Sequence, residues 1–454
     1  MRRSVLLAAM TIVATVTAGC TSDPSAGPAP STSAASTSPT GKPTEISFLA
    51  YGAPAEVKGY RAMVADYNTA NPGVKVDLVE VASADAALRQ LRKGEVPDVF
   101  LMSRRDLGEI VEGGLNQHID ELLDSRGVDF TDQYKRDSIR AFSHDERLEC
   151  MPYGISPMVM YYNTNLLDFA EMRQAGLDTP LNHTTWTFEQ FAEAAKFGAR
   201  RGAKGVYIDP SLSGLAPFVY SGGGSLFDDD RDPQSLDLSS DGSLKALTTS
   251  LELLRKGAIT PTPRELRATS ALEMFKDGKL AMIAGFRTLT PELRRAPGLS
   301  FDVMPMPALS DDKTLGDASG LCISANAVNT SAAADFVVHA IGKDAVSEVA
   351  EAGYLVPANS EVAESDAFLQ KDRMPAHSYV FNRSVKDIVT LPLLDSWPAL
   401  ERAVHADVYQ LFYSRLIDIE ALTAKIDEAS KAVLAPEEES ENPTPSATAS
   451  ASAN

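Results

Sequence analysis

From residue 46 to residue 102 the apolar positions switch regularly between two periods. The run Ile46-Ser-Phe-Leu-Ala-Tyr51 reads as a strand; Val57, Tyr60, Val64 and Tyr67 then recur at helical spacing and stop at Asn71-Pro72-Gly73. Val74, Val76 and Leu78 alternate with Lys75 and Asp77, which predicts a second strand. A second helix over about 84–93, capped by Ser83, leads to a short apolar strand at 99–102. Strand, helix, strand, helix, strand predicts a parallel sheet covered by helices, an α/β fold. In such sheets ligands sit off the carboxyl ends of the strands, so Tyr51 and the run Ser103-Arg104-Arg105-Asp106 are expected at one crevice.

The later pattern is helix-rich and mixed, without an internal repeat. Thr185 reads as a helix cap followed by the apolar stripe Phe188, Phe191, Ala192 and Ala195, with Trp186 as a core anchor. Strand-like pieces recur at 157–162, 281–284, 301–304 and 321–324.

The ends differ in kind. Arg2 and Arg3 precede an uncharged apolar run over 5–16 that reaches only about 18 Å as a helix, short of a bilayer core of about 30 Å. This is the pattern of a signal peptide over 1–19. Thr17-Ala18-Gly19-Cys20 resembles the lipobox of bacterial lipoproteins, which implies cleavage before Cys20 and a lipid on its thiol. Thr17 stands where Leu is usual, and Arg2-Arg3 faintly resembles a twin-arginine signal, so Sec and twin-arginine export both stay open. Cleavage near Ala18 with a free Cys20 is the alternative. Residues 20–44 are anchor and then a Ser/Thr/Pro-rich tether, and 436–454 form a second low-complexity tail; neither composition buries enough apolar surface to order a chain. The roughly 390 residues between exceed what one core usually serves, so two lobes are expected.

Charge and cysteine content narrow the class. The chain has 42 basic and 62 acidic residues, net −20, and no Lys/Arg cluster for a phosphate stripe, which argues against nucleic acid. Three cysteines are too few for a disulfide scaffold or a cysteine metal cluster. The six histidines show no zincin spacing, Asp228 to Asp232 lack the Gly and Glu of a calcium loop, and Gly222 to Gly224 lack the Lys-Ser of a phosphate loop. No metal and no cofactor are expected. Tyr161-Tyr162 is similar to the tyrosine pair of ferric-ion binders but falls in a strand.

Several motifs occur in order: Glu45-Ile-Ser-Phe-Leu-Ala-Tyr, Asn71-Pro-Gly-Val-Lys-Val, Pro97-Asp-Val, Met151-Pro-Tyr-Gly-Ile-Ser-Pro-Met-Val-Met-Tyr-Tyr-Asn, Thr185-Trp-Thr-Phe-Glu-Gln-Phe, Gly222-Gly-Gly-Ser-Leu-Phe, Ala281-Met-Ile-Ala-Gly, Ser319-Gly-Leu-Cys-Ile-Ser and Gly353-Tyr-Leu-Val-Pro-Ala. Over about 45–430 the set resembles the family 1 extracellular solute-binding proteins, the carbohydrate-binding subunits of ABC importers. The resemblance implies a periplasmic-binding-protein-like fold of two α/β lobes joined by crossing hinge strands that close on a ligand. Lobe one would be 45–153 plus 320–360, and lobe two 154–319 plus 361–435. The first two crossovers match 152–158 and 320–324. It also implies no catalysis, a carbohydrate ligand, ABC permease subunits as partners, a lipid-anchored monomer on the outer face of the cytoplasmic membrane, and neighbouring strands that would allow a Cys150–Cys322 disulfide.

Sugars are held by stacking on aromatic rings while polar side chains share the hydroxyls. Trp397 matches the place where maltose-type relatives put a stacking Trp, and Tyr220 precedes a Gly turn that contributes to the site in relatives. Tyr51, Ser103, Arg105, Asp106, Ser156 and Tyr354 complete the expected cleft with Phe286 and Arg287, which stand where relatives commonly have Gly-Pro-Trp. Arg104, Arg105 and Arg287 raise a second reading, a ligand that is acidic, phosphorylated or heavily hydroxylated, against a plainer one in which they pair with Asp106 or Glu109. A surface glycosidase is the third reading, but no acidic pair stands out.

Overall fold

The computed structural model describes residues 42–414 and 416–435. The signal peptide, Cys20 with most of the tether, and the 436–454 tail lie outside the described residues.

The opening alternation forms as read. Strand β1 (Thr44–Tyr51), helix α1 (Pro54–Ala70), β2 (Val74–Val81), helix α2 (Ala84–Leu91) and β3 (Val99–Ser103) follow one another. β1 pairs in parallel with β2, from Thr44↔Val74 to Tyr51↔Val81, and with β3 at Phe48↔Val99. Ser83 caps α2 by accepting the Ala86 N–H. Pro54 opens α1, where a missing N–H costs nothing, and Asn71 ends it.

The same sheet takes in four later strands, the short Asn116–Gln117 and Ile388–Val389 and the longer Met151–Pro157 and Thr314–Ser324. Thr314–Ser324 runs antiparallel to β3 and to Met151–Pro157. A second sheet has the order Phe301–Pro305, Val159–Asn163, Leu280–Gly285, Lys204–Tyr207. The chain therefore passes from the first sheet to the second at Met158, and returns between Pro305 and Thr314. One core gathers Phe48, Phe100, Phe142, Leu321 and Phe336 around the first sheet. Another joins Trp186, Phe191 and Phe218 to Leu400, Val404, Leu411 and Ile426 of the helices Trp397–Tyr413 and Ile419–Leu434. A third gathers Tyr161, Phe275, Phe301 and Phe381.

Two local expectations shift. The helix expected after Thr185 is Phe188–Gly198 and its cap is Thr187, because Gln190 three residues on completes a capping box that Thr185 lacks; Thr185 donates instead to Asp312. Trp186 is 2% exposed and gives its indole N–H to Pro305 O at 2.8 Å. Cys150 and Cys322 are joined by a disulfide with Cα atoms 4.3 Å apart, directly opposite beside the Met151↔Leu321 pair. Both are fully buried in the first core, so the bond lies within that core while the chain crosses further on at Met158.

Candidate ligand-binding cleft

The carboxyl ends of β1 and β3 deliver Tyr51 and Ser103 to a cavity of about 490 Å³, which Gly154 to Ser156, Asp317 to Ser319 and Tyr354 close from the antiparallel strands and a loop. A second cavity of about 430 Å³ adjoins it and is lined by Phe286, Trp397 and Glu401; Ser103, Arg105, Ile155, Asp317 and Ala318 serve both. Two glycines make room for the first. A Cβ on Gly154 would stand 2.4 Å from Leu355 Cδ1, and one on Gly52, whose φ is +150°, would stand 2.4 Å from Glu56 Oε2.

Of the ten residues expected at the ligand, Tyr51, Ser103, Arg105, Ser156 and Tyr354 line the first cavity, and Phe286 and Trp397 the second. Three do not line either. Asp106 is 6% exposed and turns inward to accept from Arg105 Nε at 2.9 Å. Tyr220 packs against the second core. Arg287 is fully buried: because Phe286 faces the cavity, the next side chain points to the other side. There its guanidinium donates to Gly353 O, Ser378 Oγ and Phe368 O at 3.1 to 3.2 Å and lies over the rings of Phe368 and Phe381. Burial lowers its pKa to about 9. Its backbone N–H holds Ser156 Oγ at 2.9 Å, so the residue shapes the cleft without entering it.

Of the arginine trio that suggested an anionic ligand, Arg287 stays outside, while Arg104 and Arg105 both line the second cavity with their guanidinium groups already engaged. Arg104 spends its guanidinium on the carbonyls of Ala141 and Leu391, both at 2.8 Å. Arg105 is matched by Asp106 and by Asp85, 2.6 Å from its Nη2. Acidic groups outnumber it. Burial pushes Glu56 up to about 7, against the Ala53 N–H that favours its ionised form, and burial likewise raises Asp317. Burial, then Asp317, Asp106 and Glu56, push the Tyr51 phenol well above its ordinary range. The cleft thus offers acceptors and aromatic faces, and its one exposed cation is already paired.

A family model described as bacterial extracellular solute-binding protein matches residues 62–376. The chain belongs to that family. The galactooligosaccharide-binding protein of Bacillus subtilis is 23% identical over 308 residues, 66% of this chain and 70% of that protein. An ABC substrate-binding protein from Listeria monocytogenes, solved in complex with cycloalternan, superimposes with a TM-score of 0.71 at 21% identity, over 86% of this chain and 99% of that one. The GacH receptor of Streptomyces glaucescens, solved unliganded and with acarbose, gives 0.69 at 19% identity over 87% and 99%. These likenesses establish the two-lobe, periplasmic-binding-protein-like fold.

Several lining residues of this solute-binding protein escaped sequence reading: Glu56, Asp85, Asp317, Ser319 and Glu401. A signal existed for Glu56, which sits three residues after Ala53 in the first turn of α1, where its carboxylate accepts the Ala53 N–H. Asp317 had none, since the strand carrying it was read only from residue 321. No helix among the described residues is long and apolar enough to cross a membrane.

Proposed function

We propose that this solute-binding protein captures a neutral carbohydrate of more than one ring in the cleft and delivers it to an ABC import permease, held by lipid on Cys20 to the outer face of the cytoplasmic membrane. The observation that carries the reading is the composition of the two adjoining cavities. Phe286 and Trp397 in one, Tyr51 and Tyr354 in the other, offer ring faces, while Ser103, Ser319, Glu56, Asp317 and Glu401 supply hydroxyl partners. Its acidic balance disfavours a phosphate or uronate. The carbohydrate names of the relatives support the class. The role is binding without catalysis.

Calorimetry against neutral, acidic and phosphorylated sugars tests it. Saturable binding of neutral oligosaccharides, recovered chemically unchanged, is expected. Trp397→Ala should weaken that binding roughly thirtyfold, about 2 kcal/mol for an uncovered aromatic face. Binding confined to the anionic sugars would overturn the proposal.

A further inference from the structure

Asp302 lies on Phe301–Pro305, the end strand of the second sheet, and lines neither cavity of the cleft. Its Oδ1 accepts the backbone N–H groups of Val303 at 2.9 Å and His377 at 3.0 Å, which fixes the plane of the carboxylate and leaves Oδ2 to side chains. Oδ2 stands 2.5 Å from His377 Nδ1 and 4.0 Å from His183 Nε2. The two imidazoles stack with centroids 3.5 Å apart and planes within 8°, and one nitrogen or oxygen from each of the three side chains lies within 4.8 Å of the others. Among the described residues, the ion-pair partners of this carboxylate, 8% exposed, are these two histidines. His377, 34% exposed, opens the group to solvent.

We propose that His183, Asp302 and His377 bind one divalent transition cation of the zinc class. Two imidazole nitrogens and a carboxylate oxygen are the donor set of three-ligand zinc sites, whose fourth position goes to water. The backbone N–H groups on Oδ1 are the outer shell that orients such a carboxylate. Bonds of about 2.1 Å place tetrahedral donors roughly 3.4 Å apart, so His183 draws in while Asp302 Oδ2 and His377 Nδ1, 2.5 Å apart, separate by about an ångström. An ion must also lie in the plane of each ring that binds it, so one ring leaves the stack. His183 is the ring to move: it lies in the segment between the helices Phe169–Gln174 and Phe188–Gly198, two residues past Leu181, which is 93% exposed, and on turning it exchanges the 2.9 Å hydrogen bond between its Nε2 and the Tyr162 hydroxyl for the cation. The cation ties that segment and the one bearing His377 to the end strand, away from the cleft.

The test is titration of ZnCl2 into the purified, chelator-treated protein, followed by calorimetry and by the thermal midpoint. One zinc per chain and a midpoint that rises with zinc concentration are expected. His183→Gln and His377→Gln should each weaken binding by at least the roughly tenfold to hundredfold that loss of an outer-shell partner costs, while His144→Gln, at an exposed position elsewhere, leaves it unchanged. Both variants are compared with the parent by circular dichroism and midpoint in chelator, so that a folding defect is recognised separately. Cobalt should give visible absorption bands that both variants lose. Absence of saturable zinc binding, or binding that both variants leave intact, would overturn the proposal.

Discussion

Arg287 shows how far one side chain's direction changes its role. A cation in a place where relatives hold sugar reads as a ligand contact, yet its three acceptors are Gly353, Phe368 and Ser378 in the interior. Arg287→Ala leaves those acceptors unpaired and a cavity behind, so a loss on the order of 3 kcal/mol in urea unfolding is expected, with sugar affinity per folded molecule little changed. A variant as stable as the parent but unable to bind would contradict this placement. Glu56 carries a second prediction. Its pKa is raised from 4.5 to about 7 in the folded protein, so the native state holds the proton that the unfolded chain releases, and stability falls as pH climbs through that window. Between pH 5 and pH 8 the parent should lose on the order of 1–3 kcal/mol relative to Glu56→Gln, which keeps an acceptor for the Ala53 N–H and has no proton to lose. Parallel urea midpoints for the two proteins across that range would rule it out.

At the scale of elements, the boundaries that sequence placed well are those set by local chemistry. Ser83 before α2 and Asn71 at the end of α1 act within a turn of where they stand. Thr187 overtook Thr185 as a cap because Gln190 answers it, also a local effect. The pattern predicts Thr314–Ser324 only from residue 321, and Met151–Pro157 enters only as a crossover implied by the resemblance, since buried strands lack alternation and the residues that pair with them are distant in the chain. Their pairing brings Cys150 opposite Cys322 across a separation of 172 residues. In the chain-entropy picture such a bond stabilises by roughly 4 to 5 kcal/mol. Denatured protein exported by its native host should show no free thiol at either position, and the Cys150→Ala/Cys322→Ala double variant should unfold at markedly lower urea. Labelling of both thiols would remove the bond from the account.

For the whole molecule, the two sheets and the crossings at Met158 and before Thr314 place the cleft between two bodies, and we propose that these close on the ligand. Small-angle scattering with a saturating cognate oligosaccharide should give a smaller radius of gyration than the free protein, and an unchanged radius would argue against closure. The α/β class and the carboxyl-end location of Tyr51 and Ser103 were determined by sequence alone, because period and turn chemistry are written in consecutive residues and the end of a strand is a local fact. Motif order carried the family in the same way. Only the tertiary structure decided that Asp106, Tyr220 and Arg287 face away from the cleft, that Asp317 and Glu401 face into it, and that His183, Asp302 and His377 meet. Each of these depends on which side of its element a residue faces once distant segments pack; on the strand that bears Asp317 a difference of one position reverses it.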